Sequence, residues 1–572
     1  MVHMGNGVMG IAFGTAATVM LNKHVSDYAG HFSYCENEDI GENERPKSFP
    51  VQNERLMIAK PDNFSKIPGS PVAYWVSQII ANIFANSRQL KEISIPRQGN
   101  TTTNNARFVR SWYEVDYGKI GFGFNSAKSF VDDGRKWCPY NKGGGSTKWY
   151  GLNESLVDWE KDGARIKAIP HSVVANSTEY FRPGITFSTV SSSGFGFRSF
   201  DAGFIFDNKG ASIFVDGDQR HYLIALLNSV IFSATIHKIS PTVSLQPGDV
   251  ARMPVIDGSP AQREHIVGNA SQAIRISKED WDSCEESWGF RTQPLIAYRS
   301  NRLTLADSWN YWSDSCKERV AKLRRLEEEN NGHFIDIYGL QDELTQEIPE
   351  EQITLIRANR DKDSQRLISY AIGCMMGRYG LDDPGLIYAQ ASNIGFNPSR
   401  YARFPADADG ILPITEQSWF AGDASARVRE FLHVVWGGDT LEENMAWLAE
   451  SLGTKGSETS DETIRRYLAD KFYKDHLQTY KKRPIYWLFC SGKQGAFQAL
   501  VYLHRYNEGT LARMRAEYVV PLIAKLVSRL EMLDKDMAAA LSAAARTKLQ
   551  RQIESLRKKQ IELLAYDEKL RH

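Results

Sequence analysis

The chain has 572 residues, which is too long for a single compact core and indicates about three or four domains. Lys and Arg total 69, as do Asp and Glu, so the formal net charge is zero. With 42% hydrophobic residues the composition is that of a globular protein, which excludes a disordered, a collagen-like or a uniformly basic, histone-like chain. The six cysteines stand singly, without the spacing of a zinc ribbon or a disulfide framework, and favour a reducing cytoplasm.

The first residues contain short apolar runs that are typical of strands. Residues 8–13 and 16–21 flank Gly14-Thr15 and predict a strand hairpin. Because an isolated hairpin is only marginally stable, we expect these strands to complete a larger sheet whose other strands are not in this chain. The start lacks the basic segment of a signal peptide, and no stretch has the roughly 18 to 20 uninterrupted apolar residues of a membrane helix. We therefore expect a soluble protein.

Gly5, Gly7 and Gly10 have the Gly-x-Gly-x-x-Gly spacing of a dinucleotide-binding loop. That loop needs a strand before it and a helix after it. Too little chain precedes these glycines for a strand, so we interpret them as turn residues. The two Gly-Phe-Gly sequences at 121–123 and 194–196 lie in strand-like sequence without a following helix, and we interpret them in the same way.

Hydrophobic patterning gives a coarse structure for the first half of the chain. Residues 73–90 are amphipathic, and residues 100–255 are predicted to form mainly strands. Residues 204–206 and 211–215 flank Asp-Asn-Lys-Gly, a turn sequence that predicts a β-hairpin. The apolar run at 222–236 predicts a helix.

Beyond residue 270 the sequence becomes helical and charged. Residues 315–330 carry five basic residues followed by three glutamates, which is typical of a solvated helix face. A stretch rich in Gly, Pro and Asp at 380–410 predicts a boundary before a second helical region. The last helices have apolar residues at the spacing of a coiled-coil hairpin, namely Leu549, Ile553, Leu556, Leu563 and Leu570.

The densest functional signal is at residues 135–151, which combine four basic side chains, four aromatic rings and flexible glycines. Cations bind phosphates, aromatic rings stack on unpaired bases, and glycines allow close approach of the backbone to a ligand. Together these properties suit nucleic acid. An aromatic β-hairpin with a solvated loop and a carbohydrate site have similar compositions, so the pattern alone leaves both open.

Two further segments are distinctive, Gly-Cys-Met-Met-Gly-Arg-Tyr-Gly at 373–380 and Lys-Arg-Pro-Ile-Tyr-Trp-Leu-Phe at 482–489. They belong to a series of segments at 104–116, 136–151, 180–188, 226–229 with 240–242, 368–386, 482–489 and 503–506. In these segments and their order, the chain resembles, along nearly its whole length, the PglX family of adenine-specific DNA methyltransferases of BREX phage-defence systems.

The resemblance implies an α+β multidomain fold. In the family, a Rossmann-like methyltransferase sheet binds S-adenosylmethionine, and a Taq-type target-recognition domain reads the DNA site. Carried over to this sequence, the expected parts are the end of the methyltransferase sheet at 1–60, a target-recognition domain at 61–265, a helical connecting domain at 266–395 and a helical C-terminal domain with a coiled coil at 396–572.

The sequence lacks the Asn-Pro-Pro-Tyr or Asp-Pro-Pro-Tyr loop with which the family holds the extruded adenine. It also lacks the glycine-rich cofactor loop, and Asn397-Pro398-Ser399 is no substitute. We therefore expect no catalytic or cofactor-binding residue in this chain, and S-adenosylmethionine only in the complete enzyme. Whether this polypeptide alone is an enzyme stays open. The histidines have no metal-ligand spacing, so no metal site is expected.

The resemblance places the DNA contacts in the recognition domain. Basic residues are expected on phosphates, polar residues on base edges and aromatic residues near the bases. We expect the lysines of the glycine-rich loop to be solvated. The predicted contacts are Arg135, Lys136, Lys142 and Lys148 for the backbone, Arg182, Thr186, Ser188 and Arg198 for base edges, and Trp137, Tyr140 and Trp149 as aromatic contacts.

The expected function is DNA target recognition for site-specific adenine N6 methylation in a BREX-type system. Expected partners are double-stranded DNA, a separate methyltransferase segment and other BREX proteins, in the cytoplasm and without a membrane. The alternative is a protein–protein interaction or scaffold subunit of a defence complex, and a carbohydrate-binding β module is a third possibility. Salt dependence of binding to duplex DNA separates the first two, because phosphate contacts release counterions.

Overall fold

A computed structural model describes residues 1–5, 8, 14–42, 45–48, 51, 53–67, 69–192, 194–239, 244–299 and 304–571. Within these ranges the protein is a mixed α+β structure of small sheets and long helices, as the resemblance implies. Of the helices described, none combines the length and hydropathy that a bilayer-spanning segment needs.

A four-stranded sheet begins the chain, with strand order β2-β1-β3-β4. β1 is antiparallel to β2 and parallel to β3. Its strands are β1 (Val2–Met4), β2 (Thr15–Ala17), β3 (Gly30–Cys35) and β4 (Leu56–Ala59). The expected hairpin is only partly testable, because residues 9–13 lie outside the described residues. Residues 18–21 are exposed coil, not strand, and the strand that pairs with β2 is β1. A strand does precede Gly5, which corrects the expectation that none could.

Two further sheets form the central part, with strand orders β11-β10-β13-β6 and β12-β8-β9-β7, beside a small β14–β5 pair. The elements are α1 (Gln78–Asn86), β5 (Arg88–Gln89), β6 (Ile95–Arg97), α2 (Asn105–Phe108), β7 (Val109–Ser111), α3 (Ala127–Asp133), β8 (Trp137–Asn141), β9 (Ser155–Asp158), α4 (Glu160–Lys167), β10 (Gly184–Ser188), β11 (Phe197–Phe200), β12 (Ile205–Phe206), β13 (Gly210–Phe214), α5 (Gln219–Asn228), α6 (Val230–Ile239), α7 (Pro247–Ala251) and β14 (Pro254–Val255).

Two sequence predictions for this part were wrong in detail. Residues 100–255 are not mainly strand, because the strands are two to five residues long and separated by turns and short helices. The predicted hairpin around 207–210 does not form: β12 pairs in parallel with β8, and β13 pairs with β10 and β6. The chain crosses from one sheet to the other at Asp207. The apolar run at 222–236 is helical as predicted, but it is divided into α5 and α6 at Ser229.

The rest of the chain is mainly helical, with one small sheet of order β15-β17-β16. α8 begins at Pro260 because the Ser259 side chain accepts a hydrogen bond from the Gln262 amide, a typical N-cap. The elements are α8 (Pro260–Trp281), α9 (Pro294–Ala297), α10 (Leu305–Tyr338), α11 (Arg360–Met375), β15 (Ile411–Pro413), α12 (Ala424–Trp436), α13 (Leu441–Leu452), α14 (Ser460–Asp470), α15 (Phe472–Thr479), β16 (Tyr486–Cys490), β17 (Gln498–Tyr502), α16 (Thr510–Arg513), α17 (Val520–Ala539) and α18 (Ala543–Arg571).

The hydrophobic cores join the sheets to the helices. One core packs Trp112 and Trp137 against Ile372 and Tyr486. A second packs the β10 residues Ile185 and Phe187 with side chains of α10. The central sheets therefore share buried cores with the helical part, and the domain boundaries stay a prediction.

The chain ends in a helical hairpin. α17 and α18 are joined by three residues and pack against each other through Leu526, Leu530 and Leu533 on one side and Ile553 and Leu556 on the other. The apolar spacing therefore predicted this contact correctly, and a coiled coil in the strict sense stays a prediction.

Candidate nucleic-acid interface

Strand direction brings four loops together at one end of the two central sheets. β8 ends at Asn141, β10 ends at Ser188, and β12 ends just before Asp207. These ends adjoin, because Ser188 lies opposite Gly210 and the Asp207 amide donates to the Asn141 carbonyl (2.9 Å). The segment after β6 joins them through a bridge between Asn100 and Asp207. We call this surface the loop cluster, comprising residues 97–107, 141–147, 188–192 with 194–196, and 207–210.

The loop cluster is poor in carboxylates and rich in amides and hydroxyls. Its four segments contain four basic residues and one acidic residue, Asp207. Three of the basic side chains, Arg97, Arg107 and Lys209, are exposed and make no ion pair with any described residue. Arg107 lies over the Phe108 ring at 5.1 Å. Solvated cations without internal partners are the groups that bind phosphates with release of counterions.

Lys142 is held by a buried acid network. Its ammonium lies 2.5 Å from a carboxylate oxygen of Asp207, which also accepts a hydrogen bond from the Tyr140 hydroxyl at 2.7 Å. Asp207 and Tyr140 are each 1% exposed. Burial, followed by the neighbouring Asp207 charge, raises the pKa of Tyr140 far above its usual range, so this residue stays a neutral donor. Tyr140 is therefore a support beneath the loop and cannot stack on a base.

Lys148 and Trp149 fasten the same loop to α10. Both donate to the buried carboxylate of Glu327, the Lys148 ammonium at 2.9 Å and the Trp149 indole N–H at 2.7 Å. The Lys148 amide also donates to the Thr354 hydroxyl at 3.0 Å. The prediction that the two lysines of this loop are solvated is wrong, because each compensates a buried carboxylate that comes from a distant part of the chain.

The predicted base-reading residues lie behind the loop. Arg198 is 2% exposed, and its guanidinium donates to the Thr147 carbonyl at 3.3 Å. Burial lowers the pKa of Arg198 to about 10. Thr186 donates to the Ala211 carbonyl (3.1 Å), while the Ser188 hydroxyl accepts from the Gly144 amide (2.7 Å). These three side chains position the loop from inside, so direct base contact by them is at odds with their burial.

The remaining predicted contacts lie at the opposite end of the sheets. Arg135, Lys136 and Trp137 stand where β8 begins, and Arg182 precedes β10. Trp137 is 8% exposed and packs in the core shared with the helical part. The other side chains are half-buried and paired: Arg135 with Asp133 (2.5 Å), Lys136 with Asp158 (3.9 Å), and Arg182 with Glu179 (2.6 Å) and Asp216 (3.0 Å). A five-residue strand of about 17 Å separates them from the loop cluster.

Glycines allow the backbones of the loop cluster to pack closely. Gly143 has φ of +78°, and a Cβ there would lie 2.4 Å from the Lys209 carbonyl oxygen. A Cβ on Gly196 would lie 2.2 Å from the Ser146 carbonyl oxygen. Only glycine fits such approaches. The glycine-rich loop is therefore a fixed part of the surface, clamped between neighbouring loops.

Sequence reasoning missed several residues of this surface. Arg97, Arg107 and Lys209 lie outside the stretch at 135–151, and the signal that could have found them is the scarcity of carboxylates across four separate segments. Asn100 and Thr189 are buried, and the side-chain amide of Asn100 and the hydroxyl of Thr189 have no hydrogen-bond partner among the described residues. In folded proteins such buried groups are usually satisfied by ordered water or by a ligand.

Of the three spaced glycines near the start of the chain, Gly5 is described, whereas Gly7 and Gly10 lie outside the described residues. The Gly5 amide donates to the Cys35 carbonyl at 2.9 Å, and a Cβ on Gly5 would lie 3.0 Å from the Tyr34 hydroxyl. Gly5 is thus packed against a tyrosine, and this contact does not fit the close approach of S-adenosylmethionine to this residue. We assign no catalytic step to it. The described residues also contain no group of three or more metal-binding side chains.

A separate cavity of about 120 Å³ lies among the helices α11, α14 and α15. Burial raises the pKa of Glu285 to about 7, and its carboxylate accepts hydrogen bonds from Tyr480 (2.9 Å) and Ser369 (3.2 Å). Burial lowers the pKa of His476 to about 3, and its Nε2 accepts from the Tyr486 amide at 3.1 Å. These groups hold the start of β16 and belong to the core of the helical part.

Comparison with known proteins gives two close matches, and no family model matches the chain. The adenine-specific methyltransferase BrxX of Escherichia coli O9:H4 (strain HS) is 36% identical over 606 residues, which covers 100% of this chain and 48% of BrxX. The adenine-specific methyltransferase PglX of Lacticaseibacillus casei (strain Zhang) is 36% identical over 596 residues, which covers 100% of this chain and 49% of PglX. The chain spans about half the length of these relatives. The resemblance is thereby confirmed, and the chain is, over its whole length, a relative of the PglX-type adenine-specific methyltransferases.

Proposed function

We propose that this chain supplies DNA target recognition for site-specific adenine N6 methylation in a BREX-type phage-defence system, and that the loop cluster is the surface that contacts DNA. The observation that carries the proposal is the convergence of four carboxylate-poor segments at one end of two sheets. The relatives named adenine-specific methyltransferases support DNA as the partner.

Within the loop cluster the exposed cations and amides have different roles. Arg97, Arg107 and Lys209 neutralise phosphates, because no carboxylate of the described chain competes for them. The exposed side chains of Gln98 and Asn105 read base edges once they exchange their present hydrogen bonds, in which the Gln98 amide donates to Gln246 (2.8 Å) and the Asn105 oxygen accepts from Thr102 (2.7 Å). The buried pairs of Lys142 and Lys148 keep these groups in place.

Methyl transfer itself is proposed to depend on a part of the complete enzyme that this chain does not match, and S-adenosylmethionine is proposed to bind there. The first sheet supports this division. Its edge strand β2 is exposed, and two apolar side chains that follow it are uncovered, with Val19 97% and Met20 80% exposed. At the opposite edge, Ile58 of β4 is 64% exposed. Contiguous exposed apolar side chains favour an interaction surface. We propose that the cofactor-binding part covers this sheet.

The experiment removes the three free charges of the loop cluster with Arg97→Ala, Arg107→Ala and Lys209→Ala in one variant. Binding of fluorescent duplex DNA is followed by anisotropy across a salt series. Each lost phosphate contact reduces the slope of log K against log salt by about 1, so the slope should fall by up to about 3. The matched control removes three exposed charges elsewhere, with Lys322→Ala, Arg325→Ala and Lys493→Ala.

The control variant should bind DNA like the wild-type chain. A folded loop-cluster variant with unchanged affinity and slope, or an equal loss in the control, would show that this surface does not contact DNA. If neither this chain nor its combination with the cofactor-binding half bound duplex DNA, the scaffold function would replace recognition as the proposal.

A further inference from the structure

The hairpin of α17 and α18 forms an arm that leaves the body of the protein. Its base is buried through residues such as Leu522, Leu526 and Leu563, whereas no residue between 534 and 552 is buried. Ten helical residues of α18 therefore extend about 15 Å into solvent. The hydrophobic core contributes little to the stability of this projecting segment. The charges on its surface therefore need a reason other than folding.

The two helices of the arm differ in charge. Residues 546–559 of α18 carry six Lys or Arg residues and one acidic residue, Glu554. The facing part of α17, residues 529–536, carries two basic and three acidic residues. Solubility alone does not explain this asymmetry, because acidic residues favour solubility more than basic residues do. The excess of positive over negative charge lies on α18.

Three basic side chains of α18 have no internal partner. Lys548, Arg551 and Lys558 are exposed and make no ion pair with a described residue. By contrast, Arg557 pairs with Asp534 (3.6 Å) and Lys559 with Glu416 (2.6 Å). At 100° and 1.5 Å per residue, the three free cations lie within an arc of about 80° and span about 15 Å of the helix. We call these three residues the basic ridge.

We propose that the basic ridge binds the phosphate backbone of duplex DNA as a second contact, outside the loop cluster and without reading sequence. The inference rests on the proposed function for the identity of the polyanion. Three solvated cations over about 15 Å match the phosphates along about four base pairs, and their release of counterions would strengthen binding to any sequence. Glu554, the one acidic residue of 546–559, accepts from Gln550 at 3.0 Å and makes no ion pair with the three ridge cations.

The test compares a ridge variant, Lys548→Ala with Arg551→Ala and Lys558→Ala, with a matched control on the same helix. The control, Arg557→Gln with Lys559→Gln, removes cations that already have partners. Alanine favours the helix and all three ridge side chains are exposed, so the ridge variant should fold normally by circular dichroism and thermal melting. Both are titrated with a random-sequence duplex across a salt series, beside the loop-cluster variant.

The ridge variant should bind on the order of 10- to 100-fold more weakly at 0.1 M salt, with a salt slope lower by up to about 3, whereas the control stays near wild type. Preference for a recognised site over other DNA should not change. Wild-type affinity and slope in the ridge variant would overturn the proposal, as would an equal loss in the control. Loss of binding to anionic phospholipid vesicles with unchanged DNA binding would assign the ridge to a lipid surface instead. A defect in the loop-cluster variant alone refutes the ridge, and a defect in the ridge variant alone refutes the loop cluster.

Discussion

The ion pair between Lys148 and Glu327 allows a quantitative test of how the glycine-rich loop is held. The Glu327 side chain is 2% exposed and has two partners, the Lys148 ammonium at 2.9 Å and the Trp149 indole at 2.7 Å. Lys148→Met removes the only cation and leaves a buried carboxylate with a single neutral donor. Breaking a buried pair in this way costs about 3 to 5 kcal/mol. Because the Lys148 side chain is itself 17% exposed, water can partly solvate the site, and we expect about 3 kcal/mol.

The companion substitution Glu327→Gln should cost less. The amide keeps an acceptor for Trp149, and the freed ammonium of Lys148 can reach solvent, so about 1 to 2 kcal/mol is expected. In the double variant no charge is left unpaired, and its cost should fall below the sum of the single costs by about 1 to 3 kcal/mol. Hydrogen exchange of residues 143–149 measures the local opening, and urea denaturation measures the global effect.

DNA binding separates this account from the simpler one in which Lys148 faces phosphate. A lysine already neutralised by Glu327 adds nothing to counterion release, so the salt slope of folded Lys148→Met should equal that of the wild-type chain. Unchanged exchange at 143–149 together with a salt slope lower by about 1 would refute the buried pair and restore Lys148 as a DNA contact.

Other groups give further tests. The pKa of Glu285 is raised to about 7 by burial, so its contribution to stability is full below pH 4.5 and is lost as the pH rises through 7. Relative to the wild-type chain, Glu285→Gln should therefore gain up to about 3 kcal/mol between pH 5 and pH 8 in urea denaturation. The pH dependence that His476 contributes has the opposite sign. Burial lowers the pKa of His476 to about 3, so its contribution to the free energy of unfolding is lost as the pH falls below 6.5. His476→Asn should therefore reduce the loss of stability at acid pH in the same measurement. Gly196→Ala, whose Cβ would meet the Ser146 carbonyl, should lower the melting temperature, whereas Gly268→Ala, in open space within α8, should raise it slightly.

Local patterns predicted the elements whose stability is local. The charged run at 315–330 predicted helix within what is α10, the apolar spacing near the end of the chain predicted the final helical hairpin, and the resemblance to the family is confirmed. The hairpin predicted at 204–215 failed because its turn sequence is local but its pairing is not. β12 pairs with β8 and β13 with β10, and the intervening Asp207 binds side chains 65 and 67 residues away. No window of sequence around 207–210 contains those partners.

The candidate site was predicted only in part, because the partners of its residues are also distant in the sequence. Composition drew attention to the stretch at 135–151, and its Lys142 does lie in the loop cluster. The carboxylate that neutralises Lys148 is 179 residues distant, so nothing in the sequence of the loop shows that this lysine is buried. The strand residue Arg198 could not be assigned to a face, because the helices cover one side of its sheet and a folded-back loop covers the other, and both sides of β11 are buried.

Burial divides the cations of the central sheets into two groups that affinity at a single salt concentration cannot tell apart. Arg97 and Lys209 are exposed and make no ion pair with a described residue, so under the proposed function a substitution there changes the charge offered to DNA and should leave the fold intact. Lys142, Lys148 and Arg198 lie behind or beneath the loop, so a substitution there changes how the loop is held and weakens binding indirectly. Only the first group should lower the salt slope in proportion to the charges removed. A loss of affinity without a change in slope therefore identifies a support of the loop cluster, even where the residue type suggests a DNA contact.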